Sequence, residues 1–126
     1  MTFDTPGLLA GLEALTIDAL DDLSFGVVGL DASGRVERYN AYESALSGLA
    51  PERVKGKHFF TAIAPCMNSP MLAGQLRDAE RRKAALDDTL DFVLAFRSGP
   101  VPARVRLLFD PTVARRYIAF CRAQGV

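Results

Sequence analysis

The stretch FGVVGLDASGRVERY, residues 25–39, decides how the chain is to be folded. Phe25 to Leu30 form an apolar run, Asp31, Ala32, Ser33 and Gly34 supply turn chemistry, and Arg35 to Tyr39 alternate polar with apolar side chains. Strand, tight turn and strand follow, with Gly34 free to adopt a positive φ. On the N-terminal side, Leu8, Leu9, Leu12 and Leu15 recur at helical spacing and Pro6 suits a first helical turn. This predicts a short amphipathic helix over 6–15 that packs as a cap. On the C-terminal side the signals turn helical and short. Asn40 can cap a helix, Gly48 can stop it, Pro51 to Val54 can start another, and Gly56 precedes Lys57 to Phe60.

Pro70 opens a longer helical stretch, with Leu72, Leu76, Ala79 and Leu86 expected inside and Arg77, Asp78, Arg81 and Arg82 in water. Three strands then follow. Leu90, Phe92, Leu94 and Phe96 alternate with Asp91, Val93, Ala95 and Arg97; Val105, Leu107 and Phe109 alternate with Arg104 and Arg106; Tyr117 to Arg122 form a last apolar strand. Ser98, Gly99 and Pro100, and then Asp110 and Pro111, read as the turns between them. The order of two strands, a helical middle and three strands predicts an α+β fold. Its core is a five-stranded antiparallel sheet with helices on one side and an N-terminal helical cap.

Length and composition restrict the function. With 126 residues, 49% hydrophobic and 24% charged, the chain is expected to form one domain, a cap over 1–24 on a core over 25–126, large enough to fold without a disulfide or metal staple. Fifteen Lys and Arg balance fifteen Asp and Glu, so no net field recruits nucleic acid. No apolar run is long enough to span a membrane, and the N-terminus lacks the pattern of a secretory signal. A cytoplasmic protein with no membrane and no nucleic-acid partner is expected. Two cysteines and one histidine cannot complete a Cys/His zinc site without carboxylates, so no metal site is expected.

Two constellations could carry chemistry. Cys66, between Pro65 and the Met67 to Pro70 stretch, falls in a non-helical turn just before the longer helix. A thiol at a helix N-terminus is a candidate for a lowered pKa and for acylation; a small buried apolar residue is the alternative. Tyr39, Glu43 and Ser47 are spaced by four and four, which stacks a phenol, a carboxyl and a hydroxyl on one helical stripe. A stripe facing water needs nothing more. A stripe facing inward needs a polar ligand, because a buried carboxyl without partners is costly or stays protonated, and a protonated Glu43 is a ready proton donor.

Phe25 and Gly26, Leu30 and Asp31, Tyr39 to Ala41 with Glu43, Gly48, Gly56 and Lys57 with Phe59 and Phe60, and above all Ala64-Pro65-Cys66 with Ser69 and Pro70, together resemble the photoactive yellow protein family, light sensors of the PAS fold. The resemblance is dense from Phe25 to Pro70 and looser beyond. It implies a PAS fold and a non-enzymatic blue-light photoreceptor in sensory transduction. It implies 4-hydroxycinnamic acid (p-coumaric acid) carried as a thioester on Cys66, with Tyr39 and a protonated Glu43 as donors to its phenolate oxygen and Ser47 supporting Tyr39. Photoisomerisation, proton loss from Glu43 and release of the N-terminal segment toward an unknown downstream signalling protein are implied with it, from a monomer or weak homodimer. Leu49, Phe59 and Val93 are the further residues expected at the chromophore.

The sequence also departs from the family. Leu49 stands where an arginine usually covers the ring, Tyr42 is larger than usual, and Pro100 falls where a methionine assists thermal recovery, which implies altered colour or slower recovery. A PAS domain that has lost its chromophore and serves as an interaction or dimerisation module is the competing reading. An enzyme with Cys66 as nucleophile and His58 as base would need an orienting group that nothing in the sequence supplies. Cys121 reads as a packing thiol, and His58 as a half-exposed residue with a local hydrogen bond.

Overall fold

The hairpin forms as its sequence dictates. β1 (Gly26–Leu30) and β2 (Val36–Tyr39) pair antiparallel. Asp31 Oδ1 accepts hydrogen bonds from the Ser33 and Arg35 backbone N–H groups at 2.9 and 3.0 Å, and Gly34 takes φ +87° to close the turn. The computed structural model describes residues 1–96 and 98–122; Arg97, expected to point outward, and the end of the expected core at 123–126 lie outside the described residues.

α1 (Leu8–Ala14) and α2 (Ile17–Asp21) precede the hairpin, and α3 (Ala41–Ser47) and α4 (Pro51–Val54) follow it. Asn40 caps α3 and Gly48 ends it in the left-handed region, as expected. A π-helical segment over Phe59–Ile63, a 3₁₀ turn over Pro65–Met67 and a second π-helical segment over Pro70–Gly74 lead into α5 (Gln75–Arg82). Three strands complete the chain: β3 (Leu86–Phe96), β4 (Gly99–Phe109) and β5 (Arg116–Arg122). The five strands form one antiparallel sheet in the order β2-β1-β5-β4-β3.

Three boundaries differ from the sequence reading. The helix expected over 6–15 runs over Leu8–Ala14, leaving Pro6 ahead of its Gly7 cap, and a second short helix, Ile17–Asp21, follows it. Leu86 was expected on the inner face of the helix, but α5 stops at Lys83, which takes φ +52°, and Leu86 pairs with Phe109 as the first residue of β3. Gly99 and Pro100 were expected in a turn and instead begin β4. Pro100 pairs with Ala95 and Pro102 with Val93, while the β4–β5 register begins at Ala103. Among the described residues, both prolines therefore sit where β4 has a neighbour on one side only, which suits residues with no N–H to donate.

The sheet buries both faces. Val28, Leu30, Leu94, Val105, Leu107, Ile118 and Phe120 pack under α3 to α5. Val27, Leu108, Tyr117 and Ala119 face the other way and are covered by Phe3, Leu8, Leu12 and Leu20 of the N-terminal cap. Period-two alternation on a strand generates these two cores at once. Buried arginines on the sheet fix the cap in place. Arg106 donates to the Phe3 and Thr5 carbonyls, both at 2.9 Å, while holding Asp87 through two bonds of 2.7 Å. Arg38 donates to the Leu12 carbonyl at 3.1 Å and the Tyr117 hydroxyl at 2.9 Å, and also to the Leu15 carbonyl.

Asn40 joins cap, sheet and helix at one buried amide. Its Oδ1 accepts from the Val27 N–H at 3.0 Å and the Glu43 N–H at 3.1 Å, and its Nδ2 donates to the Leu20 carbonyl at 2.9 Å and the Phe25 carbonyl at 3.0 Å. Removing this side chain strands the Phe25 carbonyl and the Val27 and Glu43 N–H groups in a dry site, while the Leu20 carbonyl keeps its bond from the Leu23 N–H. Asn40→Ala is expected to cost about 3 kcal/mol in urea unfolding, from cap loss and unsatisfied backbone together; a loss under about 0.5 kcal/mol would show that water replaces the amide.

Candidate functional site

A cavity of about 940 Å³ lies between the helix-side face of the sheet and the segment from α3 to the 3₁₀ turn. Tyr39, Glu43, Ser47, Leu49, Phe59 and Cys66 all line it. Six of the seven residues expected at a chromophore thus meet around one space, although they come from a strand end, an α-helix, a loop, a π-helical segment and a 3₁₀ turn. The helical stripe faces inward: Tyr39 ends β2, the Asn40 cap starts α3 directly behind it, and the spacing of four then brings Glu43 and Ser47 to the same side.

Glu43 is 4% exposed, and its Oε1 is buried without a hydrogen-bond partner. Burial pushes its carboxyl up to about 8, so at neutral pH it holds its proton. The Tyr39 hydroxyl lies 2.7 Å from the Ser47 hydroxyl and shares a hydrogen bond with it. Burial, with the charge of an ionised Glu43 adding to it, raises the Tyr39 phenol to about 12 against the opposing effect of the Ser47 bond. Ser47 Oγ also accepts from the Leu49 N–H at 3.2 Å, and the Leu49 carbonyl accepts from Ser44 Oγ at 2.7 Å. These bonds hold the loop after α3 so that the half-buried Leu49 side chain forms part of the wall.

Phe59 is buried and meets Phe60 edge to face, with ring centroids 5.2 Å apart. Cys66 is exposed and sits in the Pro65–Met67 3₁₀ turn, a helical turn where a non-helical one was expected. Its thiol is therefore carried by a one-turn helix of its own, four residues before the longer helical stretch begins. It is open to an incoming reagent while still lining the cavity.

Val93 does not belong to the site. It is 55% exposed and absent from the cavity wall, because alternation along β3 turns it away from the face that carries Leu94. The wall is completed instead by Leu94, Phe96, Phe120 and Ile63, and by Arg53 from α4. The apolar members follow from the alternation already read in β3 and β5. Arg53 had no such signal, since a single helical turn has no periodicity to show which side chain it aims at a neighbouring space. Its guanidinium has neither an ion pair nor a hydrogen bond among the described residues, and it brings to the wall the positive charge that Leu49 lacks.

His58 lies by the hairpin, bridged through its backbone to Arg35, and does not line the cavity with Cys66. Its Nδ1 is buried without a partner, so the expected local hydrogen bond is missing at that atom, and the imidazole is not brought to the cavity that Cys66 lines. Cys121 packs, half-buried, against the core under the cap. No cluster of His, Cys, Asp or Glu suited to a metal ion occurs among the described residues, nor a helix long and apolar enough to cross a membrane.

The donor set suits a ligand with an acidic oxygen. A neutral carboxyl and a phenol can each donate to that oxygen in a low-dielectric site, where charge-assisted bonds are strong. The apolar walls accommodate a flat hydrocarbon body, and an accessible thiol stands at the same cavity to anchor it.

Comparison with known proteins shows the fold and the family. The family described as PAS fold matches residues 20–121. The photoactive yellow protein of Rhodothalassium salexigens is 34% identical over 88 residues, covering 70% of each chain. That of Rhodobacter capsulatus is 32% identical over 91 residues, covering 72% of this chain and 73% of its own. Among solved structures, the photoactive yellow protein domain of the sensor histidine kinase Ppr from Rhodospirillum centenum superimposes with a TM-score of 0.83 at 35% identity, over 90% of this chain and 98% of that one.

The state of Glu43 makes stability depend on pH. In the fold its carboxyl keeps a proton up to about pH 8, whereas the unfolded chain releases it near the ordinary 4.5. The folded chain therefore binds more protons across that window, and stability falls as pH rises from about 4.5 to about 8. Urea midpoints should show this fall in the parent and a flatter profile in Glu43→Gln, which cannot titrate. Identical profiles would mean that the carboxyl is solvated.

Proposed function

The chain belongs to the photoactive yellow protein family, within the PAS fold, and on that premise we propose that it is a blue-light photoreceptor carrying 4-hydroxycinnamic acid (p-coumaric acid) as a thioester on Cys66. The observation that carries the reading is the convergence of an accessible thiol, a buried neutral carboxyl and a Tyr39–Ser47 hydroxyl pair on one cavity. The fit is chemical as well as spatial: the Glu43 carboxyl lines the cavity and makes no hydrogen bond among the described residues, so a ligand oxygen there would give it a partner.

In this reading each side chain has a defined task. Cys66 Sγ anchors the acyl group. Tyr39 Oη and the protonated Glu43 carboxyl donate to the phenolate oxygen, and Ser47 Oγ holds the Tyr39 hydroxyl in direction. Leu49 and Phe59 exclude water, which strengthens both bonds. The bound group supplies absorption of blue light and trans–cis isomerisation. Glu43 then passes its proton to the phenolate oxygen it faces, so the negative charge moves onto its own carboxylate, in a site built for a neutral acid, where an unpaired charge is expensive. Asn40, bonded to both the Glu43 N–H and the Leu20 carbonyl, connects that strain to the cap.

We place the moving boundary between the cap over 1–24 and the core over 25–126. Loosening the cap uncovers the sheet face that includes Val27 and Leu108, an apolar surface for a downstream signalling protein. The protein is a cytoplasmic sensor with no catalytic turnover, monomeric or weakly dimeric in the dark.

Incubation with an activated 4-hydroxycinnamic acid tests this directly. A covalent mass increase with visible absorption is expected, lost in Cys66→Ser, and Glu43→Gln should shift the band to the red by weakening proton sharing. An adduct that survives Cys66→Ser would refute the assignment. No adduct at all would favour a PAS domain that acts as an interaction module without chromophore.

A further inference from the structure

Glycine opens β1 for a reason that the hairpin does not explain. Gly34 needs its positive φ, but Gly26 lies outside that region, in ordinary extended backbone that any residue adopts. Space is the constraint. A methyl group built on Gly26 would stand closer than 3.0 Å to Glu43 Oε1, and 3.3 Å from Phe120 Cβ. Gly26 pairs with Phe120 in the sheet, so the carboxyl of Glu43 rests in the corner between the bare Gly26 backbone and the Phe120 side chain.

We propose that Gly26 is a positioning residue of the site: the missing side chain at the start of β1 is the seat that holds the Glu43 carboxyl against the sheet and fixes its direction into the cavity. The oxygen in that seat, Oε1, is the one buried without a partner, so the seat excludes water without supplying a donor. This keeps the acid neutral by desolvation alone, with no hydrogen bond committed to the charged form. Gly29, on the opposite face of β1, differs in kind: a methyl there would meet the Tyr117 ring at 2.9 Å and Arg38 Cβ at 3.1 Å, groups fixed in the core. At Gly26 the closest obstacle is the end of a flexible side chain, which can swing away. Alanine at this position therefore displaces the carboxyl before it displaces the strand, and the open direction is the cavity that Glu43 already lines.

The meaning of this seat for light sensing rests on the photoreceptor reading, but its geometry does not, and the test needs no chromophore. The carboxyl carbon of Glu43 is followed by ¹³C NMR against pH in the parent chain, Gly26→Ala, Glu43→Asp and the double variant. The titratable groups sharing the cavity, Tyr39, Cys66 and Arg53, are unchanged in all four.

Moved toward solvent, the carboxyl in Gly26→Ala should titrate at least about one pH unit lower than in the parent. In the double variant the acid is one methylene shorter, clears the added methyl, and should titrate as in Glu43→Asp alone. If Gly26→Ala lowers the yield of folded protein, the double variant must restore it, because the added methyl then has only Phe120 to meet. An unchanged midpoint and chemical shift in Gly26→Ala, or a double variant that fails to recover either titration or yield, overturns the proposal. In chromophore-loaded protein, Gly26→Ala should also move the absorption band. If no chromophore can be loaded, the photoreceptor reading fails while the NMR titrations still decide the seat.

Discussion

The whole arrangement depends on one carboxyl that has been kept from water. Glu43 sits at the base of a cavity, its Oε1 without a partner, on a helix whose first turn is fixed by the Asn40 cap. Burying a carboxyl in this way raises its proton affinity by desolvation, so the fold stores the acid in its neutral form and makes its ionised form costly. Every neighbouring feature follows from that constraint. Ser47 bonds the Tyr39 hydroxyl, leaving Glu43 free to serve something else; Phe59 and Leu49 shut out water; the glycine at β1 leaves room for the carboxyl.

A buried acid can report its own ionisation only if something mechanical is attached to it. Here the attachment is short. Asn40 is bonded to the Glu43 backbone on one side and to the Leu20 carbonyl of the cap on the other. Beyond it the cap is held by arginines bonded to backbone carbonyls, Arg38 to Leu12 and Leu15 and Arg106 to Phe3 and Thr5. Such bonds are directional, so releasing the cap means breaking them together with the packing of Phe3, Leu8, Leu12 and Leu20 on the sheet.

Much of this was legible in the sequence. The hairpin, the Asn40 cap, the Gly48 stop and the alternation from Leu90 to Phe96 each have a local cause, and each formed where that cause lies. The stripe is legible for a similar reason: a spacing of four from a capped start puts Glu43 and Ser47 on one side of α3, although spacing alone leaves open whether that side faces water or the interior. Errors arose where tertiary contacts decide. Leu86 fits the helical period, yet a left-handed Lys83 ends the helix before reaching it. Val93, expected at the cavity from the strand face opposite Leu94, is exposed and lies off the wall. Arg53 could not be read at all, because a single turn of helix leaves its direction to packing.

The account stands on Glu43 being the proton store of a light-driven switch. The most direct measurement is a light-minus-dark infrared difference spectrum of the chromophore-loaded chain. Illumination should remove the C=O stretch of a protonated carboxylic acid and produce carboxylate bands, and Glu43→Gln should abolish both. A difference spectrum with no carboxylic acid band, or one that persists in Glu43→Gln, would contradict the account.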